Sequence, residues 1–373
     1  MIVRKIQEKV ESKLFKGKII ILIGARQVGK TTLLKQLIKD RQDCLWLNGD
    51  ELDIQNLFSN ASVDRLNSMF KGYKIVILDE AQRIKDIGLR LKLIADQGES
   101  VQLIATGSSS FELANKVNEP LTGRKWEYQL FPFSFEEMVK NHGLLKEKRM
   151  LYKRLVYGYY PEIVMNEGDE KEILKQLTDA YLYKDILAWE NIKYPDKLQT
   201  LLRALAYQVG SQVSFNELGQ ICSLDLKTVE KYISLLEQCY IIFRLPSYSR
   251  NLRNELKASR KIFFYDNGIR NAVISDFTAP ELRQDIGKLW ENFVISERMK
   301  YTFYNGVWAN RFFWRTKQQQ EIDYIEERDG KLYAFEMKWN PKSRAYASKT
   351  FTSAYPNNEF FIVTPENIED FLT

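Results

Sequence analysis

The chain has 373 residues, 45% of them hydrophobic and 28% charged, which is an ordinary globular composition long enough for two or three domains. A net charge of +6, from 55 basic and 49 acidic residues, permits a polyanionic partner but does not require one. The single histidine, His142, argues against a histidine-rich metal centre and against His-dependent catalysis. Any chemistry must therefore depend on carboxylates, lysines, arginines and hydroxyls.

Composition also indicates the compartment. No apolar stretch approaches the roughly 18 residues of a membrane span, and the N-terminal segment MIVRKIQEKVESKLFKG lacks the apolar core of a signal peptide. The three cysteines are odd in number and show no CxxC spacing, which disfavours a disulfide framework or a thiolate zinc site. We expect a cytoplasmic protein without membrane attachment.

Strands alternate with helices over the first part of the chain. The segments KIIILIG, CLWLNG, YKIVILDE and VQLIATG are short apolar runs bounded by turn residues, with helix-like periodicity between them. Such runs are typical of strands that are buried on both faces of a parallel sheet. We therefore predict an α/β domain over residues 1–140.

A phosphate-binding loop follows the first of these strands. The segment GARQVGKT matches GxxxxGK[ST] and opens the helix TTLLKQLIK, which is the context that this motif requires. Backbone N–H groups and the helix N-terminus favour a phosphate there, Lys30 should reach the β- and γ-phosphates, and Thr31 should ligate Mg²⁺. The residues assigned to nucleotide binding are Gly24, Ala25, Arg26, Gln27, Val28, Gly29, Lys30, Thr31 and Thr32.

An acidic pair ends the strand IVILDE. Asp79 should lie beside the magnesium ion, and Glu80 follows it where a general base could polarise the attacking water. Strands often end in solvated acids, but a position about 50 residues after a phosphate loop favours the catalytic interpretation.

Together with ATGSSS at 105–110, LTGR at 121–124 and FPFSFEEM at 131–138, these motifs resemble a bacterial and archaeal AAA-type ATPase family. The resemblance implies ATP and Mg²⁺ as ligands, with Asp79 on the metal and Glu80 activating water. It implies a polar γ-phosphate sensor at Thr106 or Ser108. Arg124 is the candidate arginine for the γ-phosphate, in its own chain or in a neighbouring subunit of a homo-oligomer; the alternative is a salt bridge within the sheet.

The middle region, residues 141–280, is predicted to be helical and then to form a winged helix. Ser214 and Glu217 suggest a capping box before the helix FNELGQIC, and the helix KTVEKYISLLEQ and the strands YIIFRLP and KIFFYD follow. The second helix would enter a DNA groove through Lys227 and Lys231. The alternative is a lid or packing domain with a solvated lysine face. In the DNA-binding interpretation a basic connector forms the wing and contacts the phosphates. This connector and its flanks carry Arg244, Arg250, Arg253, Lys257, Arg260 and Lys261.

Residues 281–373 are predicted to form a third domain. A helix after Gly287 precedes the strands RFFWRT, EIDYIEE and LYAFEMKW, and the turn RDG joins the last two strands as a hairpin. Asp323 followed by Glu336 and Lys338 in this hairpin resembles the core of PD-(D/E)xK nucleases, a restriction-endonuclease-like fold. The resemblance implies Mg²⁺ ligands at Glu291, Asp323 and Glu336 and a catalytic Lys338, with Glu321 as an extra candidate ligand. A Glu336–Lys338 ion pair in an inert module explains part of the same pattern.

The combined interpretation is an ATP-hydrolysing P-loop ATPase that couples its nucleotide state to a DNA-directed activity, with metal-dependent cleavage left open. The alternatives are a nucleotide-switched DNA-binding regulator and a protein-binding signalling ATPase, each with an inert nuclease-like domain.

Overall fold

The structure is a computed structural model that describes residues 2–96, 101–108, 121–179, 192–249 and 260–373. The chain divides into two compact units, Met1–Pro132 with Gln238–Tyr240, and Phe133–Glu237 with Ile241–Thr373. Three basic residues of the predicted connector, Arg250, Arg253 and Lys257, lie outside the described residues. No helix in the described ranges combines the length and apolarity needed to cross a bilayer.

The first unit is an α/β fold. Its elements are α1 (Ile6–Lys13), β1 (Ile19–Ile23), α2 (Lys30–Leu37), β2 (Cys44–Asn48), α3 (Leu52–Asn60), α4 (Val63–Phe70), β3 (Ile75–Asp79), α5 (Ile87–Asp96), β4 (Gln102–Gly107) and β5 (Lys125–Gln129).

The five strands form one sheet in the order β2-β3-β4-β1-β5, and all neighbouring pairs are parallel. Every residue of β1, β3 and β4 is buried, as expected for strands covered on both faces. The predicted parallel α/β sheet is confirmed. Because the strands are parallel, the residues that follow β1, β3 and β4 share one edge of the sheet.

The second unit contains the other described elements. These are α6 (Phe135–His142), α7 (Leu144–Arg149), α8 (Leu151–Tyr157), α9 (Pro161–Met165), α10 (Glu170–Leu177), α11 (Pro195–Tyr207), β6 (Gln212–Val213), α12 (Phe215–Cys222), α13 (Leu226–Gln238), β7 (Ile242–Pro246), β8 (Arg260–Phe264), α14 (Asn267–Val273), α15 (Ile286–Asn305), β9 (Asn310–Arg315), β10 (Glu321–Arg328), β11 (Lys331–Met337), α16 (Lys349–Ala354), β12 (Asn358–Val363) and α17 (Glu369–Leu372).

Helices α12 and α13 follow one another across a short turn, and β6, β8 and β7 form an antiparallel sheet in that order. The apolar face of α13, with Val229, Ile233 and Leu236, is buried. Ser214 caps α12 by accepting the N–H of Glu217 at 3.4 Å, which is one of the two bonds of the predicted capping box.

The C-terminal sheet has the order β12-β11-β10-β9, with β9, β10 and β11 antiparallel and β12 parallel to β11. The predicted hairpin turn joins β10 and β11, with Asp329 and Gly330 both at positive φ, 50° and 74°. Helix α15 precedes this sheet and is buried along most of its length. The side chain of Asn292 on α15 accepts the N–H of Phe264 on β8 at 2.7 Å, so contacts cross the predicted boundary at residue 280.

Candidate functional site

The phosphate loop joins β1 to α2, and its glycines are required by close packing and by backbone conformation. A Cβ at Gly24 would lie 2.2 Å from the carbonyl oxygen of Leu130. Gly29 has φ 94° immediately before α2, in the left-handed region that favours glycine. The loop therefore has the tight backbone path that a phosphate-binding turn needs.

Asp79 connects the phosphate loop to two strands of the sheet. Its carboxylate accepts a hydrogen bond from the hydroxyl of Thr31 at 2.9 Å and another from Thr106 at 2.5 Å. Thr31 lies in the first turn of α2, whereas Thr106 lies near the end of β4. A hydroxyl and a carboxylate at this distance form the oxygen pair that a magnesium ion prefers. Their side chains fit the Mg²⁺ role that the sequence predicts.

Glu80 adopts a left-handed backbone conformation, with φ 50°, directly after β3. Its N–H donates to Thr106 at 3.1 Å, and its carboxylate accepts from Gln82 at 2.5 Å. Gln82 also donates to the hydroxyl of Ser108 at 3.1 Å. A Cβ at Gly49 would lie 2.4 Å from the Glu80 carbonyl oxygen. No motif in the sequence marks Gln82 or Gly49, although Gln82 is only two residues from Glu80.

Lys30 is buried, and its ammonium donates to the carbonyls of Gly24 and Ala25, each at 2.9 Å. Burial lowers the pKa of Lys30 to about 8, while the carboxylates of Glu80 and Asp79 act in the opposite direction. A dehydrated ammonium of this kind is stabilised by an additional anion. The electrostatics of the loop therefore favour binding of a phosphate group.

Arg4 supports the phosphate loop from the N-terminal segment. Its guanidinium donates to the carbonyl of Val28 at 2.7 Å and to that of Phe131 at 2.6 Å. The side chain is buried. No local motif marks this arginine, because its partners are 24 and 127 residues away in sequence.

The other predicted loop residues differ in exposure. Ala25 and Val28 are buried, whereas Arg26, Gln27 and Thr32 are exposed. The side chains of these loop residues therefore do not all line the same nucleotide pocket. In a loop of this kind the backbone N–H groups provide most of the phosphate contacts.

Arg124 lies at the amino ends of the parallel strands, whereas the phosphate loop follows the carboxyl end of β1. It precedes β5, whose first residue Lys125 pairs with Ile19 at the amino end of β1. Its side chain forms an ion pair with Asp96 at 2.5 Å and is partly exposed. The structure therefore does not bring Arg124 to the phosphate loop of its own chain, and the predicted role in cis has no geometric support. The salt-bridge alternative describes the contact that is present.

Three carboxylates meet in the second unit. Oxygen atoms of Glu291 on α15 and of Glu321 and Asp323 on β10 lie within 4.8 Å of one another. Burial and the charges of Glu291 and Glu336 raise the pKa of Asp323 to about 8. The cluster thus contains two of the predicted metal ligands together with Glu321, the extra candidate.

Lys261 of β8 lies among these carboxylates. Its ammonium is fully buried, 2.7 Å from Glu291 and 2.5 Å from Glu321. Burial alone would lower the pKa of Lys261, but Glu291, Asp323 and Glu321 outweigh it and raise the pKa above its usual value. The prediction that Lys261 belongs to a basic wing that contacts phosphates is wrong, because β8 carries this side chain into the interior.

The predicted third ligand, Glu336, is engaged differently. It accepts a hydrogen bond from Lys338 at 2.7 Å, and Asp323 accepts the N–H of Met337 at 2.8 Å. Glu336 is not one of the three carboxylates whose oxygens come together. The ion pair anticipated in the inert alternative is therefore present.

Some of the residues predicted to face DNA are exposed, and others are held in ion pairs within the protein. Lys227 and Lys231 on α13 are exposed. Arg244 instead forms a bidentate ion pair with Glu237, with Nε 2.7 Å from a carboxylate oxygen. With Lys261 buried as well, two cations of the connector and its flanks are unavailable to an external phosphate.

Residues 16–139 match a family model described as an AAA domain. Residues 148–280 and 286–371 match two further models, each described as a domain of unknown function (DUF8612 and DUF4143). A Walker-type ATPase of Pyrococcus abyssi has a similar structure, with a TM-score of 0.52 at 15% identity, covering 74% of this chain and 96% of that chain. The region of residues 16–139 therefore has the P-loop fold of AAA domains, and the phosphate loop lies within it.

Two sequence relatives extend along most of the chain. An uncharacterized protein of Methanocaldococcus jannaschii is 25% identical over 346 residues, covering 86% of this chain and 74% of that protein. An uncharacterized protein of Mycobacterium tuberculosis is 25% identical over 337 residues, covering 88% and 72% respectively. The similarity thus includes the regions that follow residues 16–139.

Proposed function

We propose that the chain binds and hydrolyses ATP and that its nucleotide state controls binding of duplex DNA. The observation that carries the ATPase proposal is the convergence of Thr31, Asp79 and Thr106 beside the loop that holds Lys30. A magnesium ion there would supply charge neutralisation for the phosphates. The chain's own residues would hold the ion through Thr31 and Asp79.

In this proposal each residue has a distinct role in hydrolysis. Lys30 neutralises the phosphate oxygens, and its dehydration makes that interaction strong. Glu80 accepts a proton from the attacking water, and Gln82 orients its carboxylate. Thr106 fixes the position of the Glu80 backbone relative to the Asp79 carboxylate, because its hydroxyl hydrogen-bonds to both.

The Lys30→Ala variant tests the ATPase proposal. Loss of the ammonium removes the main side-chain charge facing the phosphates, so we expect nucleotide binding and turnover to be abolished. Undiminished turnover in a clean preparation would overturn the assignment. A Lys35→Ala variant, on the same helix but outside the loop motif, is the matched control and should retain turnover.

The DNA part of the proposal is supported by the helix-turn-helix of α12 and α13 and by the exposed lysines on α13. The elements α11, β6, α12, α13, β7 and β8 follow one another in the order expected of a winged helix. The three strands pair in the order β6-β8-β7, which supports the same fold. In such a fold the second helix of the pair enters the major groove. Its lysines would contact phosphates.

A double substitution, Lys227→Glu with Lys231→Glu, tests this interface. We expect weaker duplex binding at low salt and a smaller difference as salt rises, because the contacts are electrostatic. The matched control is Lys171→Glu with Lys175→Glu, which has the same charge change and spacing on exposed positions of α10. Equal losses in both double variants, or none in the first, would favour the lid or protein-binding alternative.

Arg124 can contribute to hydrolysis in this proposal only through a neighbouring copy of the chain, given its placement at the other sheet edge. Mixing a Lys30→Ala preparation with an Arg124→Ala preparation tests this. Recovery of turnover in the mixture would support a homo-oligomer with a shared site. If the mixture shows no recovery and the Arg124→Ala preparation is active by itself, Arg124 has no role in hydrolysis and serves only its ion pair with Asp96.

A further inference from the structure

The nuclease-like resemblance of the C-terminal region implies a divalent metal, and the residues present do not fit one. We infer that the ammonium of Lys261 takes the place of that metal, so that the acidic cluster is a buried ion-pair junction. It joins β8 to α15 and β10. This inference is independent of the ATPase proposal, because it concerns only the second unit.

The geometry around Lys261 supports this. Its Nζ atom is within hydrogen-bond distance of Glu291 and Glu321, two of the three carboxylates that could coordinate an ion. The lysine side chain has no solvent exposure, and its ammonium lies 5.4 Å from the ring centre of Phe313. A metal ion could enter only after this side chain had left.

The remaining coordination capacity of the carboxylates is largely used by other groups. The second oxygen of Glu291 accepts from Lys288 at 2.9 Å, and Glu321 pairs with Arg315 at 3.3 Å. Asp323 accepts the N–H of Met337 at 2.8 Å. A divalent ion would therefore have to break existing hydrogen bonds as well as displace a cation.

The acidic groups of the cluster already have cationic neighbours. Three carboxyl groups, those of Glu291, Glu321 and Asp323, lie beside three cations, those of Lys261, Lys288 and Arg315. The neighbouring pair of Glu336 and Lys338 is neutral by itself. Adding a doubly charged ion to a buried cluster that already holds these cations is costly, since buried charges need compensation.

The same junction explains a feature of the fold. Lys261 lies on the middle strand of the sheet β6-β8-β7, whereas its partners lie on α15 and β10. A bond network of this kind links two regions that the sequence alone assigns to separate domains. The second unit is accordingly compact across residue 280.

Binding of Mn²⁺ to the full-length chain without nucleotide tests the inference. The measurements use an Asp79→Asn background, which removes the carboxylate of the ATP site as an alternative cation ligand. With Lys261 intact, we expect no saturable Mn²⁺ binding below about 1 mM and no change in melting temperature at constant ionic strength. Saturable binding that disappears in an added Asp323→Asn substitution would overturn the inference.

Lys261→Met in the same background provides the complementary test. Removing one partner of a buried pair strands the carboxylates, so the melting temperature should fall by on the order of 10 °C. Mn²⁺ should then bind and restore part of the loss. A folded variant as stable as the parent, or one that binds no Mn²⁺, would overturn the assignment of Lys261 to a cation position.

Lys288→Met is the matched control, because Lys288 pairs with the same Glu291 but is 44% exposed. We expect a small change in melting temperature and no Mn²⁺ binding, since Lys261 still fills the cluster. If Lys288→Met gained the same Mn²⁺ site, occupancy by Lys261 would not be what excludes the ion. If Lys261→Met failed to fold, the Mn²⁺ titration with Lys261 intact would still decide the question.

Discussion

Thr106 and Asp79 are joined by a hydrogen bond of 2.5 Å from the threonine hydroxyl to a carboxylate oxygen. The same hydroxyl accepts the backbone N–H of Glu80 at 3.1 Å. Thr106 is fully buried, so water cannot replace either bond. One side chain on β4 thus positions both the proposed metal-binding acid, Asp79, and the backbone of the proposed general base, Glu80.

Thr106→Val should reduce ATP turnover because it keeps the shape of the side chain but removes the hydroxyl. Leaving a buried carboxylate oxygen and an N–H without their partner costs roughly 1–3 kcal/mol, or about 5- to 160-fold in rate if the loss falls on the transition state. Phosphate-release kinetics measure this directly. Thr106→Ser retains the hydroxyl and should recover most of the rate; equal defects in both variants would contradict the proposed role.

Glu80→Gln should separate binding from chemistry. The amide cannot accept a proton, so hydrolysis should fall by at least ~100-fold, whereas the affinity for ATP should change little. Nucleotide affinity is measured by titration with a fluorescent ATP analogue, alongside single-turnover hydrolysis. Normal hydrolysis in this variant would place the general base at another residue.

Arg4→Ala should weaken nucleotide binding more than it slows chemistry. The arginine bridges Val28 in the phosphate loop and Phe131, and its loss leaves two carbonyls without this donor. At about 2 kcal/mol for such a change, KM for ATP should rise on the order of 10-fold or more, with a smaller fall in kcat.

Arg4→Lys provides the control for that experiment. Lysine keeps the charge but presents a compact ammonium in place of the planar fork, so we expect an intermediate KM. A KM equal to that of the wild type in Arg4→Ala would show that the loop keeps its conformation without this bridge.

Gly158→Ala should destabilise the second unit strongly. Gly158 has φ 72°, and a Cβ there would lie 2.0 Å from a carboxylate oxygen of Asp266. That carboxylate accepts the N–H of Tyr159 at 2.7 Å and of Ile269 at 3.2 Å, so it cannot move away without losing both bonds. The expected loss is at least about 2 kcal/mol, measured by urea unfolding.

Gly287→Ala is the matched control for this substitution. Gly287 lies in α15 without a positive φ, and a Cβ added there would meet no atom within 4 Å. Alanine is the better helix former, so stability should rise by up to about 1 kcal/mol. A similar loss of stability in the two variants would contradict the steric argument at Gly158.

The sequence by itself determined the local features of this protein. The phosphate loop, the buried parallel strands and the β10–β11 hairpin each depend on residues close together in the chain, where spacing and turn chemistry specify the backbone. Thr31 and Asp79 could be paired in advance because the carboxyl ends of parallel strands meet at one edge.

The tertiary structure alone decided which charges face solvent and which face one another. The sequence places Lys261 and Arg244 in a basic region that is predicted to contact DNA. In the structure Lys261 is buried among carboxylates, and Arg244 forms an ion pair with Glu237. Arg4 reaches its carbonyl partners only through the folded chain. For Lys261 and Arg4 the physical reason is that the cost of burying a charge depends on partners 24 to 127 residues away, and no local pattern encodes that distance.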